Sequence, residues 1–219
     1  MSRKLGFCGL IMMATFSIYA LGPHAAQAAI PGTLTAESYP ATLSGTQLNT
    51  HRLELTDFGL SAECEVSKLA GTLASPGSAI VTLHPSYEKC KAFGLTATVD
   101  TEGCDYLVHV GEAPSPGSSY LGSTDIECAG ANLIRITAGI IGNRCEVQIG
   151  SQTGLVSEVV NKAGPPKDVE LRANITGITY KITKDEGTCP LSLAGQTFSG
   201  GDYKGNTTLV GSSAIFISD

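Results

Sequence analysis

The sequence predicts an all-β protein, a disulfide-stapled antiparallel β-sandwich with a β-barrel as the alternative. Three observations predict it: apolar and polar residues alternate over short runs, Gly/Pro/Asn/Ser clusters separate those runs, and an even set of cysteines follows an N-terminal leader.

The leader sets the compartment. Arg3 and Lys4 precede an apolar run from Leu5 to Leu21, and Ala26-Gln27-Ala28 places small residues at both positions a signal peptidase reads. Residues 1–28 are therefore expected to be a secretory signal peptide and 29–219 a single secreted β domain. The apolar run is short for a spanning helix, and no later segment approaches the length a bilayer needs, so no integral membrane segment is expected after cleavage. Cys8 leaves with the leader. Removal of 28 of the 219 residues leaves 191, enough for one core. Arg3 and Lys4 leave too, so 12 of the 14 basic residues face 20 acids, a formal charge of −8. With no Lys/Arg cluster in the chain, that balance excludes a nucleic-acid surface.

Six cysteines remain: Cys64, Cys90, Cys104, Cys128, Cys145 and Cys189. In an exported chain an even number reads as a disulfide framework, and six permit 15 pairings. The sequential pairing 64–90, 104–128, 145–189 is expected, because each bridge then closes a modest loop between neighbouring strands, worth roughly 3–4 kcal/mol in the chain-entropy picture. Neither C-x-x-C nor H-x-x-x-H spacing occurs, so no metal site and no cofactor are expected.

Strand runs follow in order at Arg52–Leu55, Glu63–Leu69, Ala79–His84 and Leu95–Val99. Asp100–Gly103 is a turn, after which Cys104, Tyr106, Val108 and Val110 share one face and Asp105, Leu107 and His109 the other. Asn132–Thr137 and Cys145–Ile149 continue the series. In "VELRANIT", Val169, Leu171, Ala173 and Ile175 alternate with polar residues; Gly177 interrupts, and Ile178, Tyr180 and Ile182 resume, as in a bulged strand or two short ones. Thr207–Val210 and Ala214–Ser218 close the chain. Helical spacing occurs once, in "LVSEVVNKAG", where Leu155 and Val159 stand four apart. "EAPSPGSSYLGS", 112–123, is expected to be a long Gly/Ser/Pro loop offering Ser118 and Tyr120 as an exposed binding surface, and Pro165-Pro166 marks another break.

Three stretches, "AESYPATLSG", "LHPSYEKCKAFGLTATVDTEGCDYLVHVG" and "VELRANITGITYKIT" with the later Cys189 and "YKGNTTLVG", resemble a family of uncharacterised secreted bacterial proteins with a cysteine-framed β architecture. The resemblance covers most of the mature chain and implies secretion, disulfides and a β fold. It implies no catalytic residue.

Chemistry is sparse. His51, His84 and His109 fall on separate predicted strands, His84 just before Pro85 at a strand end, and no G-x-S-x-G elbow occurs. There is no Trp for a sugar platform. Tyr106 and Tyr180 sit on apolar faces and read as core. The three acids of "DTEGCD" would suit calcium but lack EF-hand spacing and read as a solvated turn. The expected function is a non-catalytic extracellular or cell-surface binding or structural module, with a glycan or protein as its surface ligand. The alternatives are a small secreted hydrolase using His109 or His84 with acids near Asp100–Asp105, or a secreted inhibitor.

Overall fold

A computed structural model describes residues 30–113, 119–140, 142–165, 167–185 and 194–218; the leader, Ser118 and Cys189 lie outside them. The described residues form strands and no helix. The strands are β1 (Ile30–Pro31), β2 (Thr33–Ala36), β3 (Ala41–Gln47), β4 (His51–Leu55), β5 (Leu60–Leu73), β6 (Ile80–Ala92), β7 (Leu95–Asp100), β8 (Cys104–Ala113), β9 (Tyr120–Cys128), β10 (Ile134–Ile140), β11 (Asn143–Ile149), β12 (Gln152–Asn161), β13 (Val169–Asp185), β14 (Thr197–Gly211) and β15 (Ile215–Ser218).

Four long strands organise the rest. β5 pairs with β6 and β13 with β14, all antiparallel. Along one half of their length, β8, β9 and β12 connect β6 to β13, and β3 connects β14 to β5. Along the other half, β7, β10 and β11 make the first connection and β4 the second. Each half thus closes a circuit of paired strands, and the two tiers meet at a waist.

Each tier has its own core. Leu53, Leu55, Ala62, Ile136, Val147, Tyr180 and Ile182 belong to the tier of β4, β7, β10 and β11. Leu43, Leu73, Leu83, Val108, Val169 and Leu209 belong to the other. The disulfides Cys64–Cys90 and Cys104–Cys128 join the first cluster, each between directly opposed residues of neighbouring strands. Cys145 is also disulfide-bonded. Among the described residues the second core contains no cystine; there β15 pairs with β2 and sends Ile215 and Ile217, with Leu34 and Ala36, into the core.

The strands end at the waist, and side chains close the seams. Gln152 reproduces a ladder pair with its amide, donating to the Thr179 carbonyl at 2.9 Å and accepting from the Thr179 N–H at 2.8 Å. Gln47 donates to the Glu65 carbonyl, and Asn49 accepts from the Asn206 N–H, both at 2.7 Å. The Thr101 hydroxyl donates to the Pro85 carbonyl at 3.1 Å.

His84-Pro85 is not a strand end: β6 runs through it to Ala92. The Pro85 carbonyl faces the seam between β8 and β7, and its nitrogen faces the same way, so the missing N–H falls where no strand needs it.

Other expectations are sorted similarly. β13 is one bulged strand, its register shifting between Ile175 and Ile178 around Gly177 at φ 79°. "LVSEVVNKAG" is a strand rather than a helix, because Leu155, Ser157 and Val159 face inward with period 2 while Val156 stays exposed. The loop expected over 112–123 is shorter than that, since β8 extends to Ala113 and β9 begins at Tyr120. Tyr120 is not an exposed binding residue: it is 1% exposed and packs in the second core, its ring against Gly32, where no Cβ would fit. The Lys162 N–H bonds the Asp168 carbonyl next to the Asn161–Val169 pair, so β12 and β13 belong to one antiparallel ladder rather than to separate domains.

Candidate functional site

The waist holds a partly open cavity of about 90 Å³. Its walls come from both tiers: Leu69, Leu171 and Thr207 from one side, Leu53, Ile136 and Ile178 from the other. Ile126, Ile149, Leu155 and Ile175 complete an apolar lining.

The polar side of the cavity is a connected chain. His51 opens β4, Tyr87 lies on β6, Tyr106 on β8 and Tyr203 on β14, and the inward alternation of each strand aims all four at the waist. Tyr106 and Tyr87 hydroxyls are 2.8 Å apart, Tyr87 and Tyr203 3.1 Å, and Tyr203 Oη lies 2.5 Å from His51 Nδ1. His51 Nε2 lies 3.3 Å from the Asn206 carbonyl and 3.2 Å from Thr207 Oγ1. Gly205 makes room for the imidazole, since a Cβ there would stand 2.7 Å from the ring.

Donor counting orients this chain. The Asn206 carbonyl only accepts, so its bond to Nε2 requires the tautomer with the His51 proton on that nitrogen, and Thr207 Oγ1 then faces Nε2 as an acceptor. Nδ1 then accepts from Tyr203. Tyr203 has one hydrogen, so Tyr87 donates to Tyr203, and by the same count Tyr106 donates to Tyr87. The chain ends at the Tyr106 oxygen with acceptor capacity left over.

Burial keeps all four groups neutral. Desolvation lowers the His51 pKa, partly opposed by the Asn206 hydrogen bond. Desolvation raises the Tyr87, Tyr106 and Tyr203 phenols well above their ordinary value; charge repulsion among them adds to this, while the hydrogen bonds that Tyr87 receives from Tyr106 and Tyr203 from Tyr87 partly oppose it. The rings still have intermediate accessibility, as residues lining a cavity do. Nearby, the Thr124 and Ser157 hydroxyls share one hydrogen bond at 2.9 Å.

The residues considered for hydrolysis lie elsewhere, on the outer face. His84 Nδ1 meets Asp105 Oδ1 at 2.5 Å, and His109 Nε2 meets Asp125 Oδ2 at 2.9 Å. Each is a histidine with an orienting carboxylate, but among the described residues neither imidazole is hydrogen-bonded to a hydroxyl or thiol that could serve as nucleophile. The acids of the Asp100–Asp105 turn also part company: Asp100 caps the Glu102 N–H, Glu102 binds Arg135 at 2.6 Å, and Asp105 holds His84. The turn is a staple and hinge of strands. A second depression, about 510 Å³ and open, lies at Asn161, Lys162, Lys167 and Phe216, where Lys162 reaches Thr208 and Lys167 covers the Phe216 ring.

Sequence reasoning missed the waist cluster. It placed Tyr106 in the core, which is near the mark, but it saw His51 only as a strand residue. No local spacing unites positions 51, 87, 106 and 203; the circuit of strands does.

No protein-family model matches the chain, no curated protein matches it, and no solved structure matches it. The resemblance to a secreted bacterial family therefore stands without a family match, and the disulfide-bonded β architecture is what the structure itself supplies.

Proposed function

We propose that this protein is an exported, non-catalytic binding module that takes its ligand inside the waist cavity rather than on the 112–123 segment. The observation that carries the reading is an apolar chamber with one polar side, the usual composition of a small-molecule site: hydrophobic walls and a few placed polar groups. Export is supported by the leader and by cystines, which persist in oxidising compartments. No helix among the described residues is long and apolar enough to cross a membrane. The outward rows carry ion pairs such as Arg52 with Glu54 and Glu63, and Arg172 with Glu158 and Glu170, a pattern suited to water. As a single domain over 29–219 the chain would hold one such chamber between its two cores.

Native mass spectrometry of protein recovered from the medium and envelope fractions of a producing culture tests this. A stoichiometric small-molecule adduct, released on unfolding and missing from a cavity-filling Leu155→Phe variant, is the expected result. Bare protein mass in every fraction, together with retention on cell wall that Leu155→Phe leaves intact, would move the function back to the outer surface.

A further inference from the structure

We propose that the waist cavity selects a small, uncharged molecule with a compact apolar body and one hydrogen-bond donor, and that the Tyr106 oxygen receives that donor. The inference rests on the internal-binding reading above and specifies its ligand class.

Size comes first. A water's share of liquid volume is about 30 Å³ and a cavity of about 150 Å³ accommodates benzene, so 90 Å³ suits a handful of non-hydrogen atoms. A sugar ring with its hydroxyls, a peptide or an acyl chain is too large. Charge comes next. Only His51 among the lining residues titrates near neutrality, and its burial keeps it neutral, so an ionic ligand would lose its hydration without a counter-charge. Hydrogen-bond polarity completes the description. The Asn206 carbonyl fixes the His51 proton on Nε2, and each phenol in turn spends its single hydrogen on the next group. What reaches the cavity from this chain is an acceptor. A ligand N–H or O–H would complete it at the Tyr106 end, where a ligand offering only a lone pair would face another lone pair; the Thr207 hydroxyl, accepting from Nε2, keeps its hydrogen at the His51 end of the lining.

Pyrrole and furan separate these demands, being planar five-membered rings of nearly the same size, one with an N–H and one without. Titration of each into the disulfide-intact exported protein, followed by the resonances of the Leu155 and Ile149 methyls and the Tyr106 ring, should show pyrrole binding about tenfold tighter, the worth of one hydrogen bond in a dry site. Tyr106→Phe should bring the two affinities together. If that variant does not fold, the ratio measured on the wild type carries the test alone. Equal binding of both rings, or tighter binding of furan, overturns the donor assignment and leaves the internal-binding reading standing. Failure of both rings to bind overturns the two together.

Discussion

The two tiers solve the same closure problem with different chemistry. The tier of β4, β7, β10 and β11 holds Cys64–Cys90 and Cys104–Cys128 in its core cluster, bonds that join strands already opposed in register. Among the described residues the core of the tier of β3, β8, β9 and β12 contains no cystine, because Cys104–Cys128 joins the ends of β8 and β9 that pack in the first core; this tier is capped by the β2–β15 pair, held also by Asn161, whose amide bonds both the N–H and the carbonyl of Ile217. One core has cystines beside its apolar residues, and the other, among the described residues, rests on apolar burial without them. Conditions that attack one should spare the other first, and the waist, built from both, should report on either.

The largest expected effect comes from removing the cap. A chain ending at Gly211 loses Ile215 and Ile217, both buried; at roughly 2–5 kcal/mol for each large apolar side chain lost, the second tier should not survive. Urea unfolding followed by hydrogen exchange should show exchange of β3 and β8 amides brought forward more than that of β10 and β11; equal loss in both tiers would mean they unfold as one unit.

Replacing both Cys64 and Cys90 with Ala should cost about 2–5 kcal/mol and reverse the order, with β4 and β7 amides exchanging first. Early exchange in β2 and β15 instead would break the comparison.

Gly205→Ala probes the junction. Its Cβ would press on the His51 ring, and overpacking of this kind costs about 1–3 kcal/mol, with displacement of Nδ1 from Tyr203 visible in the histidine ring resonances. Unchanged stability and unchanged ring shifts would show that the waist is looser than its contacts suggest.

The smallest effect is one proton's worth. The folded-state pKa of His51 is depressed, so in mildly acid solution below about 6.5 the unfolded chain binds a proton that the folded one resists, and stability falls as pH falls. The raised tyrosine pKa values act at the other end: above about 10 the unfolded phenols ionise before the folded ones, and stability falls as pH rises. Thermal midpoints of the wild type and His51→Gln between pH 7 and 5 should diverge from parallel; a parallel pair of curves would place the acid dependence on other groups.

How far the sequence foretold this depends on the range of the determining contact. Disulfides 64–90 and 104–128 were legible because their cysteines lie within adjoining strands, and β13 was legible because Val169, Leu171 and Ile175, then Ile178, Tyr180 and Ile182, alternate on either side of Gly177. β3 and β9 were not, since Gly45 and Thr124 occupy inward positions and blunt the alternation. Tyr120 was misplaced because its neighbours have loop composition, while its burial is decided by Gly32 and the cap residue Ile217. The waist cluster was invisible for the same reason on a larger scale.

The pairing of β2 with β15 also dictates an order of events. Thr33 opposes Ser218, so one of the first strands to emerge must wait for the last before the second core can be sealed. A topology with such distant partners folds slowly. During that interval the second core lies open along the seam that β2 and β15 later close, so its apolar residues are the last to be covered.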